Sequence, residues 1–128
     1  MAGHSPEETE RLIDEAVNAG DADAATALYE LDAVLVLPGR PAVRGRDAIR
    51  RAFAELVATK PKLQGKPKHV IVAGDLAHLV VEWRMEGIGR DGEPFIQTGV
   101  ATDVMRRQPE GTWLYVIDLP EGISTPLP

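Results

Sequence analysis

No cysteine occurs among the 128 residues, which excludes disulfides, thiolate nucleophiles and zinc–thiolate sites. Long apolar runs are missing too: none approaches the roughly 18 residues that a membrane span needs. The opening segment Met1-Ala2-Gly3-His4-Ser5-Pro6-Glu7-Glu8 is polar and acidic, so a cytoplasmic protein is the expectation. Positive charge is in deficit, with 14 Lys+Arg against 20 Asp+Glu. The resulting net charge of −6 repels phosphate backbones and anionic lipid, so neither nucleic acid nor a membrane is expected as a partner. No glycine-rich phosphate loop follows a strand, and no Ser-His-Asp arrangement can be assembled. His69 and His78 lack ligand-spaced companions, so no metal and no other cofactor is expected. Repeats and low-complexity linkers are absent, and one domain spanning residues 1–128 is the natural division.

What is present reads as helices first and strands afterwards. Ser5-Pro6-Glu7-Glu8 opens a helix, with a hydroxyl cap, proline at the first position and a glutamate three residues on. Leu12, Ile13, Ala16 and Val17 recur at helical spacing before Asn18-Ala19-Gly20 stops the helix. Asp21 caps a second helix with Ala24, Ala25, Leu28 and Tyr29 as its stripe. Ala33–Leu37 is a short buried strand, and Arg44-Gly45-Arg46-Asp47 leads into a third helix carrying Ile49, Ala52, Phe53, Leu56 and Val57. Four strands follow, over 68–73, 76–87, 93–107 and 112–119, separated by turn residues. The fold class is α+β, with helices packed on one face of a curved antiparallel sheet. Residues after Asp118 are too rich in proline and glycine for regular structure.

Two aspartates interrupt the apolar pattern of the last strands. Asp103 lies in Gly99-Val100-Ala101-Thr102-Asp103-Val104-Met105, and Asp118 ends Trp113-Leu114-Tyr115-Val116-Ile117-Asp118. A turn at Gln108-Pro109-Glu110-Gly111 makes the two stretches antiparallel neighbours, so inward-facing aspartates would share one cavity. Carboxylates in an apolar cavity are costly unless paired, hydrogen-bonded or protonated, which makes the pair a candidate for proton chemistry. Alternation places Asp103 with Met105 and Ala101, and Asp118 with Val116 and Leu114. Tyr115 then points away from the cavity toward a partner subunit.

The order of Gly20-Asp21 between two helices, Leu28-Tyr29 before a strand, Val43-Arg44-Gly45-Arg46-Asp47-Ala48-Ile49 opening the third helix, and Thr102-Asp103-Val104-Met105-Arg106 before a hairpin resembles the NTF2-like superfamily. Within it the SnoaL-like, ketosteroid-isomerase-like and DUF4440 proteins are most similar, over about Glu7 to Gly122. The resemblance implies a cone of curved sheet around helices, an apolar pocket at the open end, and a homodimer through the convex face of the sheet. Glu82, Arg84, Thr98, Thr102 and Tyr115 are expected on that face. Ketosteroid isomerases carry an aspartate base after the first strand, a tyrosine on the first helix and a protonated aspartate on a late strand. Asp103 matches the last, whereas Leu37 and Ile13 occupy the other two places. Limonene epoxide hydrolase holds water between two aspartates, with an arginine two residues before the first. Asp103 and Asp118 could play those carboxylates, but Ala101 stands at the arginine position.

The implied enzyme performs cofactor-free isomerisation, cyclisation, dehydration or hydration on a small hydrophobic molecule. Asp103 donates a proton or holds an oxyanion, and Asp118 serves as base or water-holder. The pocket is expected to be lined by Ile13, Val17, Leu37, Phe53, Leu56, Trp83, Met85, Ala101, Met105 and Val116. A non-catalytic ligand-binding or dimerisation module is the other class this pattern allows. Glu82 and Arg84 read as cross-strand pairs on the outer face, and Arg40, Arg44, Arg46, Arg50 and Arg51 as a solvated helix face.

Overall fold

A computed structural model describes residues 2–124. Helix α1 (Pro6–Asn18) begins as its sequence dictates, with the Ser5 hydroxyl accepting from the Glu8 amide at 3.1 Å. Helix α2 (Ala22–Thr26) is capped by Asp21, which accepts from Ala24 N at 2.9 Å. Strand β1 (Tyr29–Leu35) and the two-residue β2 (Val43–Arg44) precede α3 (Arg46–Val57). Then come β3 (Lys62–Ala73), β4 (Leu76–Ile88), β5 (Pro94–Arg107) and β6 (Trp113–Leu119), with a short 3₁₀ turn at Gly122–Ser124. That turn gives the segment after Asp118 more order than its composition suggested; residues 125–128 lie outside the described set. No helix among the described residues is long and apolar enough to cross a membrane.

The α+β expectation holds, with one refinement. The six strands are ordered β2-β1-β6-β5-β4-β3, and all neighbours are antiparallel except β1 and β6, which run parallel. Because β1 starts at Tyr29, this residue belongs to the sheet and not to the stripe of α2; its partner across the ladder is Tyr115. Leu28 and Tyr29 are both buried, as their apolar character required of either element.

Helix α1 lies across β3 and is fixed there by polar contacts. Asn18 exchanges two hydrogen bonds with the Leu63 backbone, at 2.6 and 2.9 Å, and Asp14 Oδ2 accepts from Gly65 N at 2.9 Å. Thr9 Oγ1 donates to Trp113 O at 2.8 Å, tying the start of the helix to β6. The core between helices and sheet includes Val17, Leu28, Ile49, Phe53, Leu79 and Met105.

One irregularity decides what faces the cavity. Between Met105↔Tyr115 and Val104↔Ile117 the ladder slips, leaving Val116 as an extra residue in β6. Such a bulge breaks the period of two, so residues three apart, Tyr115 and Asp118, both turn inward.

Candidate functional site

A cavity of about 260 Å³ lies between α1, α3 and the inner face of β4, β5 and β6. Eight of the expected apolar residues line it: Ile13, Val17, Leu37, Phe53, Leu56, Trp83, Met85 and Ala101. Two do not. Met105, opposite Tyr115 in the ladder, is wholly buried in the core, because the larger ring occupies that end of the cavity. Val116 is the bulged residue and stays outside the lining. Trp83 forms wall rather than core: it is half-buried and donates its indole N–H to Pro120 O at 2.8 Å.

Asp103 and Asp118 face each other directly across the β5–β6 ladder, and both line the cavity. Asp103 is 3% exposed, and its Oδ1 accepts from Leu119 N at 3.3 Å. Burial pushes its carboxyl well above the ordinary range, and the facing Asp118 pushes it further. Asp118 is raised by burial as well, but hydrogen bonds from Asp103 and from the Tyr29 hydroxyl oppose the shift. Of the two, Asp103 therefore keeps the proton and Asp118 is the more readily ionised. The pair titrates as one system.

A second acid–phenol pair stands beside the first. Tyr115, 1% exposed and not directed outward, donates its hydroxyl to Glu10 Oε2 at 2.7 Å. Its ring stacks on that of Tyr29, with centroids 4.9 Å apart. Burial, followed by the neighbouring Asp14, raises Glu10 to about 8. Asp14 is raised to about 6, again chiefly by burial. Both phenols are pushed well above their usual range by burial and the surrounding acids, so they act as hydrogen-bond donors at neutral pH.

Glu10, Asp14, Tyr29 and Tyr115 also line the cavity, and the sequence reading left all four out of the candidate site. A signal for the first two was available: Glu10, Ile13, Asp14 and Val17 follow the i, i+3, i+4, i+7 pattern of one helix face. The arginine cluster, by contrast, is largely committed to partners. Arg40 meets Glu55, Arg46 donates to Tyr29 O at 2.8 Å, and Arg50 pairs with Asp23 at 2.5 Å. Glu82 pairs across strands with Lys68 at 3.0 Å, while Arg84 meets Glu86 on its own strand at 2.6 Å.

Residues 9–115 match the family model of the SnoaL-like domain. No curated protein matches the chain. Among solved structures, a candidate dehydratase of the NTF2-like family from Streptomyces avermitilis is 25% identical, with a TM-score of 0.72 over 85% of this chain and 87% of that one. A ketosteroid isomerase-like protein from Erwinia carotovora atroseptica is 24% identical, with a TM-score of 0.75 over 88% of each chain. An NTF2-like superfamily protein from Salmonella enterica shares the fold at 20% identity, with a TM-score of 0.78 over 88% and 84%.

Proposed function

The chain belongs to the SnoaL-like domain family of the NTF2-like superfamily, and on that footing we propose that it is an acid/base enzyme acting on a small hydrophobic molecule. The observation that carries the reading is the direct opposition of Asp103 and Asp118 in a cavity with largely apolar walls. Such a pair separates two roles on one site: a carboxyl that keeps its proton and a neighbour that accepts one. Asp118 is the base. The Tyr29 hydroxyl and the protonated Asp103 stabilise its ionised form, and Leu119 N holds Oδ1 of Asp103 in place.

The position of Asp118 supports this assignment. Leu37 leaves an apolar group where the resemblance puts the base, but Asp118 pairs with Leu35 across the β1–β6 ladder. A carboxylate thus stands on the adjacent strand, beside the end of β1. Proton abstraction next to a carbonyl, followed by return of the proton elsewhere, would give isomerisation; loss of a hydroxyl would give dehydration, and the reverse hydration. All of the proton transfer in this scheme is drawn from side chains.

Solvent-deuterium exchange tests the reading whatever the product is. Small cyclic ketones and enones incubated with the protein in D₂O should incorporate deuterium next to the carbonyl. Asp118→Asn and Asp103→Asn should slow incorporation by about 10²–10⁴. Exchange at the background rate, or exchange indifferent to both variants, would contradict it.

We also propose a homodimer through the outer face of the sheet. Ile96, Val100 and Ile117 are exposed there, with Ile71 on β3, more apolar surface than a solvated sheet face needs. Sedimentation should show a dimer at micromolar concentration, and a monomer would remove the claim.

A further inference from the structure

The acids on α1 have no part in the proton transfer just described. Glu10 and Asp14 lie one helical turn apart and line the same cavity. Tyr115 holds Glu10 Oε2, and Gly65 N holds Asp14 Oδ2. Glu10 is 6% exposed, yet its Oε1 has no hydrogen-bond partner among the described residues. A buried carboxyl oxygen without a hydrogen-bond partner is uncommon and marks a place where something else supplies the bond. Glycine at position 65 lets both carboxyls approach the β3 backbone from the cavity: a Cβ there would stand 2.4 Å from Glu10 Oε1 and 3.3 Å from Asp14 Oδ2.

The charge around this gap is one-sided. The lining carries five acidic residues and one basic residue, Arg40, whose guanidinium is engaged by Glu55. An anionic ligand is repelled from such a site, whereas a cation is attracted by carboxylates that water screens poorly. A bare metal ion fits badly, because no three His, Asp or Glu side chains among the described residues are arranged to hold one. The rest of the wall is hydrocarbon, which suits a ligand with an apolar body.

We propose that the cavity binds a small hydrophobic amine, its ammonium seated between Glu10 and Asp14 and its hydrocarbon body against Ile13, Val17 and Phe53. This rests on the reading of the cavity as a ligand site, and not on turnover. At about 260 Å³ the space is below the ~300–1,000 Å³ of drug-sized sites, so the amine is small.

Proton linkage gives the proposal a signature. Glu10, near 8, is mostly neutral at pH 7, while Asp14, near 6, is mostly ionised. The groups acting on them are Glu15 from α1, Tyr115 and Asp118 from β6, Asp103 from β5 and Tyr29 from β1; none is basic. An arriving ammonium favours ionised Glu10, releasing up to about one proton, and affinity rises between pH 5 and 9.

Calorimetry on the whole chain at pH 7 tests this with benzylamine, benzyl alcohol and benzoate as probes, in two buffers of different ionisation enthalpy. Benzylamine should bind at least about tenfold more tightly than benzyl alcohol, with proton release, and benzoate should not bind. Glu10→Gln and Asp14→Asn keep side-chain shape; each should erase the amine preference while leaving benzyl alcohol binding, which reports an intact cavity. Equal or tighter binding of the alcohol or benzoate, a preference surviving in both variants, or no benzylamine binding at millimolar concentration would overturn the proposal. Amine binding without any deuterium exchange would sink the proposed turnover and leave this inference standing.

Discussion

The two tyrosine–carboxyl pairs in the cavity share a geometry and differ in what surrounds the acid. Tyr29 donates to Asp118, whose other neighbour is a protonated carboxyl, Asp103. Tyr115 donates to Glu10, whose nearest acidic neighbour, Asp14, only repels it. The same phenolic donor therefore supports an ionisable carboxylate in one pair and a mostly neutral carboxylic acid in the other. A hydrogen bond alone does not set the protonation state of a buried acid; the second neighbour does.

Replacing Tyr115 with alanine breaks the comparison at both ends, because its ring is stacked on Tyr29. Loss of a fully buried aromatic should destabilise the fold by about 3–5 kcal/mol in urea unfolding.

Glu10→Gln sharpens the contrast through pH. The folded protein keeps the Glu10 proton up to about pH 8, while the unfolded chain releases it near the ordinary 4.5. Between these values the folded state binds more protons, so this group's contribution is greatest at acid pH and falls as pH rises. The slope approaches ~1.4 kcal/mol per pH unit. Unfolding measured from pH 4 to 9 should show that decline in the natural protein and a flatter curve in the variant.

Smaller in effect are the single hydroxyl deletions. Tyr29→Phe removes a donor to the ionisable Asp118 and should destabilise by about 2–3 kcal/mol at pH 7. Tyr115→Phe removes one from a mostly neutral acid and should cost about 1 kcal/mol. The reverse order would mean that the charge resides on Glu10. Trp83→Phe, elsewhere on the cavity wall, deletes the bond to Pro120 O and the part of the indole packed on Gly99, and should cost about 1–2 kcal/mol without moving the acids' titration.

The unequal legibility of the pairs has the same physical root as their chemistry. Asp103 and Asp118 stand out because strands alternate and an acid on an apolar face breaks the pattern; the short turn makes their strands neighbours, and the bulge at Val116 brings Asp118 rather than Ile117 opposite Asp103. Tyr115 was misdirected by the same alternation, since the bulge at Val116 shifts the count by one and nothing in Leu114-Tyr115-Val116-Ile117 announces it. Tyr29 fits a helical stripe and a strand start equally well, and its choice is made by parallel pairing with β6, some 86 residues away in sequence. Glu10 was concealed by composition: in the acidic first half of α1 it looks like a solvated residue, and only its spacing to Ile13 and Val17 gives it away. The two-residue β2 carries no strand pattern at all, and forms because β1 offers it an edge.

Protons are held inside this cavity by the arrangement of each acid's neighbours, and carboxyl carbon NMR titration reads that most directly. Asp103 and Asp118 should titrate together, with Asp103 protonated well above the usual carboxylate range and Asp118 responding whenever Asp103 is changed to Asn. Glu10 should titrate near 8. Independent titration of Glu10, Asp103 and Asp118 near pH 4 would mean that all three carboxyls face water, and would contradict both the site and its chemistry.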